Sequence, residues 1–144
     1  LQSDAERLSE LLYRAISVKA SIVERDECEA GDRRLLNLGH TLAHAIEKSS
    51  TKMNHGEAVA VGLHLIANVA VAKGLLSAED AKRIDSLLER AGFILEPPVE
   101  MRTLLKAVKR DKKAEGDAIY IVFPREIGRC EVEKMPVEEF KALF

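Results

Sequence analysis

The chain contains no tryptophan, and only 4% of its residues are aromatic although 47% are hydrophobic. A core with so few large rings is packed from leucine, isoleucine, valine and alanine, which favours stacked helices and disfavours a β-sandwich. Cysteine is equally scarce. Cys28 and Cys130 stand far apart with no metal-type pairing, so both read as free thiols in a reducing, intracellular compartment, and a disulfide is not expected. Charge of one sign is lacking as well: 22 basic residues are interspersed with 24 acidic ones, giving a net charge of -2 and a pI near 6.1. No electrostatic footprint for nucleic acid or an anionic membrane results, and the expected partner is a small molecule. No secretory signal is expected, and the longest apolar run, Ala58 to Ala72, is short for a bilayer and interrupted by His64 and Asn68. A soluble, cytoplasmic protein is expected. Internal repeats, linkers and low-complexity segments are missing too. The chain opens on Leu1 without a methionine, which suggests a piece of a longer protein.

What is present is one domain's worth of chain: 144 residues bury roughly two-thirds of their unfolded surface without a disulfide or metal. Its most informative stretch runs from Arg33 to Glu57 and holds three of the four histidines. Read as a helix, Arg33, Asn37, His40 and His44 recur at steps of four, three and four and share one face, with leucines and Ile46 occupying the rest. A solvated face would be mostly lysine and glutamate. Arg, Asn and two His instead bind anions or metals, and His55, at the start of the next helix, comes close to the first two. A metal site is therefore a candidate.

The periodicity predicts a first helix from about Ser3 to Arg25 with Leu8, Leu11, Leu12, Ala15, Ile22 and Val23 on its apolar stripe. Lys19 falls on that stripe, so its ammonium either snorkels to the surface or meets an anion in a cleft. Asp32 is the expected N-cap of the second helix. The third, His55 to Lys73, is apolar on nearly every side and should be the spine of the core. Asn54 and Glu57 fit a capping box, which is preferred to a ligand role for Glu57. His64 reads as a hydrogen-bonded core or interface residue. Ser77 should cap a fourth helix through Ala91 that turns Ile84, Leu87 and Leu88 inward, with Gly92 as its stop. A short helix, Met101 to Val108, runs into the charged cluster Lys109-Arg110-Asp111-Lys112-Lys113, which is either a solvated helix end or a cover for an anion. Ala118 to Phe123, turn chemistry over Pro124 to Gly128, and Arg129 to Lys134 form a hairpin, before a last helix after Pro136. The predicted fold is mainly α, a multi-helix domain with a small C-terminal β-hairpin.

Lys19, the D-E-x-E ahead of Gly31, R-x-x-x-N-L-G-H-T-x-x-H-A-I-E, H-G-E-A-V-A-x-G and the D-K-K near the hairpin occur in the order found in one family. Together they closely resemble the C-terminal half of 3-dehydroquinate synthase, over essentially the whole chain. H-G-x-x-V-A-x-G alone would be weak, since iron-dependent alcohol and glycerol dehydrogenases carry something similar. The departure is Leu42-Ala43, where the family more often has an aromatic and a glycine.

The resemblance implies an enzyme of the shikimate pathway that converts the sugar phosphate 3-deoxy-D-arabino-heptulosonate 7-phosphate to 3-dehydroquinate and phosphate. It uses NAD and a divalent metal, usually zinc with cobalt as the alternative. It implies His40 and His55 as metal ligands, and Lys19, Arg33, Asn37, His44 and Lys112 as catalytic substrate contacts, with Lys113 the alternative to Lys112. By the same resemblance the third ligand, a glutamate, and the N-terminal NAD-binding domain are absent from this chain, and the full-length enzyme is a homodimer. The rival readings are a sister sugar-phosphate cyclase, a metal-dependent alcohol dehydrogenase, and a non-catalytic metal-binding or assembly domain.

Overall fold

His55–Ala72, designated α3, is the helix on which the other elements of its unit are laid. The structure, a computed structural model, describes residues 4–26, 31–108 and 117–144. By its contacts the chain divides into two units, Leu1–Leu36 and Asn37–Phe144.

In the larger unit α3 starts at a complete capping box. The Asn54 side chain accepts the Glu57 amide at 3.0 Å, and the Glu57 carboxylate accepts the Asn54 amide at 2.8 Å. Gly74 (φ 68°) stops the helix in the left-handed conformation. Ala58, Ala60, Val61, Gly62, Ile66, Ala67, Val69 and Ala70 are buried, so α3 is the expected spine. Its length and hydropathy would also suit a membrane span, but half of it is buried inside the domain. Helix α2 (His40–Ser49) packs on α3 through Leu42, Ala43, Ala45 and Ile46, and α5 (Met101–Ala107) covers α2 with Leu104. Helix α4 (Ala78–Arg90) is capped by Ser77, whose hydroxyl accepts the Asp80 amide at 3.0 Å, and lies on α3.

The α4 contact is narrower than predicted. Ala81 is buried and Ile84, Asp85 and Leu88 are half-buried, whereas Leu87, expected to face inward, is 67% exposed. Its main neighbour among the described elements, α3, covers only the stripe 81-84-85-88, and Leu87 falls on its flank.

The hairpin pairs β1 (Ala118–Glu126) with β2 (Arg129–Pro136) around the tight turn Ile127-Gly128. Its strands run further than the turn chemistry suggested. Pro124 sits within β1, where the register slips, and a two-stranded sheet tolerates it because both strands are edges. Ile119, Ile121 and Phe123 enter the core, joined by Met135 and by Val137 and Phe140 of α6 (Val137–Lys141). Arg125 bridges Glu131 and Glu133 at 2.8 and 2.9 Å, and Lys73 reaches Glu133 at 3.6 Å, tying the end of α3 to the hairpin. Cys130 is a free, half-buried thiol whose pKa burial raises. Cys28 and the charged cluster 109–113 lie outside the described residues.

In the first unit α1 spans Asp4–Arg25, as predicted to within a residue, but none of it is buried. Leu8, Leu11 and Leu12 of its apolar stripe are 57%, 65% and 55% exposed. Among the described residues of that unit, one helix followed by a short turn of 3-10 helix offers no second apolar layer. The continuous second helix is also corrected. Residues Asp32–Asn37 form a 3-10 helix, and α2 begins only at His40 after Gly39, which adopts φ 76°. Asp26, not Asp32, serves this start, its carboxylate accepting the Gly31 and Arg33 amides at 2.7 and 3.0 Å.

This division predicts unequal mutational costs. Leu42→Ala, at a position 1% exposed, should cost about 2–5 kcal/mol in urea denaturation, whereas Leu12→Ala should stay within about 0.5 kcal/mol.

Candidate metal and substrate site

Two glycines bring the histidines together. The Gly39 carbonyl accepts the Ala43 amide at 3.0 Å, the first hydrogen bond of α2, while lying against Gly62 in the middle of α3. A Cβ on Gly62 would overlap that carbonyl oxygen and stand 3.1 Å from its carbon; one on Gly39 would stand 2.9 Å from the Leu63 nitrogen. Backbone therefore meets backbone where α2 begins. Ala43, one turn on, is fully buried beside the same contact, so the residue that departs from the family's usual glycine fits as alanine.

With the helices so close, the rings of His40, His44 and His55 form a triangle. Their centroids are 5.9 Å apart for His40–His44, 5.4 Å for His40–His55 and 6.3 Å for His44–His55. Helix α2 supplies the first two one turn apart on its open face, and α3 supplies the third as its first residue. His40 Nδ1 lies 3.1 Å from the Leu38 carbonyl oxygen, and His55 Nδ1 lies 3.0 Å from the Glu47 carboxylate. Neither acceptor has a proton to give, so in the neutral ring each Nδ1 carries the hydrogen and each Nε2 keeps its lone pair, as a metal ligand requires.

His44 differs. Partial desolvation lowers its imidazole pKa from 6.5, opposed by the Glu47 carboxylate and reinforced by His40, Lys48 and His55. The ring is thus neutral at physiological pH and able to take up or pass on a proton.

The remaining predicted residues are not all part of this triangle. Asn37 is exposed and lines a narrow cleft with Gly39, Thr41, Leu42, Ile66, Ile121, Val122 and Phe140. Because the 3-10 helix and Gly39 intervene, it does not continue the α2 face. Lys19 is exposed on α1 and Arg33 half-buried in the 3-10 helix, both in the first unit; Lys112 and Lys113 lie outside the described residues. Glu57 is committed to its capping box. His64 is hydrogen-bonded as expected, through Nδ1 to Asp85 at 2.9 Å, with the Asn68 amide 3.1 Å from Nε2. Sequence reasoning passed over Glu47, although its spacing from His40 and His44, seven and three residues, placed it on their face of α2. Among the described residues no three His, Cys, Asp or Glu side chains make a metal site. His40 and His55 fit as two donors of a larger set.

A helical domain of the same fold occurs in solved synthases. A 2-deoxy-scyllo-inosose synthase complexed with carbaglucose-6-phosphate, NAD+ and Co2+ superposes with a TM-score of 0.74 over 89% of this chain and 39% of that one, at 23% identity. ValA, a 2-epi-5-epi-valiolone synthase from Streptomyces hygroscopicus with NAD+ and Zn2+ bound, gives 0.77 over 93% of this chain and 38% of that one, also at 23% identity. Sequence places the chain more narrowly. It belongs to the 3-dehydroquinate synthase C-terminal family, whose model matches residues 1–114. The 3-dehydroquinate synthase of Pelobacter propionicus is 39% identical over 99% of this chain and 41% of its own length, and that of Aliivibrio fischeri is 42% identical over 90% and 37%. The chain thus spans about two-fifths of the relatives it matches.

Gly62→Ala pits a gain of about 1 kcal/mol in helix propensity against overlap with the Gly39 carbonyl, for which about 1–3 kcal/mol is typical. Backbone cannot swing aside as a side chain can, so the clash should win and lower the urea midpoint. An NMR titration of the metal-free chain should place the His44 midpoint below 6.5. Since the unfolded chain protonates first as pH falls, the corresponding stability is present above 6.5 and lost as pH drops through the folded value.

Proposed function

We propose that this chain is the metal- and substrate-binding half of a 3-dehydroquinate synthase, which converts 3-deoxy-D-arabino-heptulosonate 7-phosphate to 3-dehydroquinate and phosphate. The observation that carries the reading is the juxtaposition of His40 and His55, each with Nδ1 held by an acceptor and Nε2 free, in a member of this family. On this reading the two Nε2 atoms hold a divalent metal, zinc or cobalt, with a carboxylate from the rest of the longer protein completing the set. When bound, the metal would polarise the substrate oxygen at the carbon being oxidised.

The chain's own residues then bind and orient the substrate. Lys19, Arg33 and Lys112, or Lys113 in its place, are cations suited to a substrate with a carboxylate at one end and a phosphate at the other. Asn37 offers an amide to a hydroxyl. His44, neutral through partial desolvation, is suited to receive a substrate proton and return it. NAD, bound by an N-terminal domain, would take the hydride and give it back within one turnover. A homodimeric, cytoplasmic full-length enzyme belongs to the same reading. The sister cyclases match at 23% identity, against 39% and 42% for the dehydroquinate synthases, which favours the latter as the activity.

In the longer natural protein, His40→Ala and His55→Ala should each reduce phosphate release from the heptulosonate phosphate to background in the presence of NAD and zinc. The 144-residue chain alone should melt cooperatively by circular dichroism yet release no phosphate above its own His40→Ala control. Wild-type turnover in either full-length variant would refute the ligand assignment.

A further inference from the structure

Among the described residues, Glu47 is the one carboxylate hydrogen-bonded to the histidine triangle, and it has no part in the proposed reaction. It occupies the last turn of α2, on the same open face as His40 and His44, and its Oε1 lies 3.0 Å from His55 Nδ1 across the connection between α2 and α3. Both groups keep access to solvent, with side-chain exposures of 34% for Glu47 and 56% for His55. Nothing in the packing of the ring therefore dictates its tautomer.

His40 and His55 reach the same state by different means. The acceptor for His40 is the Leu38 backbone carbonyl, fixed by the turn that ends at Gly39 and present whatever the side chains are. The acceptor for His55 is a side chain and can be removed. The other carboxylate near the start of α3, Glu57, is held by the Asn54 amide in the capping box, and Asp85 is engaged with His64. Among the described residues, control of the His55 ring thus falls to Glu47.

We propose that Glu47 is a positioning residue that fixes His55 in the Nδ1–H tautomer and aims its Nε2, so that the metal site opens onto a preset ligand. This rests on the reading of His55 as a ligand. A carboxylate behind a ligating imidazole orients the ring and raises the basicity of the ligating nitrogen, and losing such a partner typically costs about 10–100-fold in metal affinity. Without Glu47, His55 interconverts between tautomers and orientations, and binding must select the competent one.

The test uses the 144-residue chain and three variants. In the metal-free state, at a pH where the imidazoles are neutral, long-range proton–nitrogen NMR should show His55 as the Nδ1–H tautomer. In Glu47→Ala its nitrogens should shift towards the Nε2–H form while those of His40 do not move. Competition with a chromogenic chelator should show zinc binding weakened about 10–100-fold in Glu47→Ala and restored to within about threefold in Glu47→Gln, whose amide oxygen still accepts from Nδ1. An unchanged His55 tautomer in Glu47→Ala overturns the proposal whatever zinc does. Equal weakening in Glu47→Ala and Glu47→Gln also overturns it, because it makes the carboxylate itself a ligand. A His55→Ala control that binds zinc as well as wild type would instead refute the ligand reading, and the metal-free tautomer would still judge Glu47.

Discussion

The contact between Gly39 and Gly62 is the constraint on which the site depends. It joins the carbonyl that starts α2 to the backbone of α3 with no side chain between them. Helices separated by ordinary side chains sit 8–10 Å apart, and a joint without side chains at one point brings the imidazoles from the two helices to within 5.4–6.3 Å of one another. Gly39 serves this arrangement twice. Its left-handed conformation turns the chain out of the 3-10 helix, and the same turn leaves the Leu38 carbonyl facing His40.

Around that joint the acidic side chains are divided among separate tasks. Glu57 closes the capping box at the start of α3, Asp85 holds His64 between α3 and α4, and Glu47 meets His55. His55 and His64 thereby meet a carboxylate at Nδ1, as His40 meets the Leu38 carbonyl. His64 has both nitrogens engaged, by Asp85 and Asn68, which makes it a clip between helices. His40 and His55 keep Nε2 open. The same residue type thus serves structure in one place and recognition in another, according to what its second nitrogen meets.

The two units contrast in what stabilises them. Residues from Leu38 onward build a core of small and branched apolar side chains, closed at one end by the hairpin and its Arg125 and Lys73 ion pairs. Burial dominates there, since isolated surface pairs contribute little. The α1 helix has the length, charge pattern and apolar stripe of a packed helix, with acidic residues in its first turn and Arg25 in its last, yet none of its residues is buried. Propensity and pattern can specify a helix without specifying what its apolar face meets.

The sequence by itself determined the elements whose signals are local. The capping box at Asn54 and Glu57, the serine cap of α4, the glycine stops at Gly74 and Gly92 and the alternation of the hairpin are each written within a few residues, and each formed. The family motif also marked His40, His44 and His55, and their proximity could be anticipated because a short connection joins their helices. Only the tertiary structure decided three matters. It broke the expected continuous helix at Gly39, because a positive φ and a close approach to Gly62 are invisible to a count of three- and four-residue steps. It left Leu87 exposed, because periodicity gives a face but not the width of the neighbour that covers it. And it brought Glu47 to His55, because a hydrogen bond across a helix-to-helix joint depends on the angle and spacing of two backbones, which no local pattern encodes.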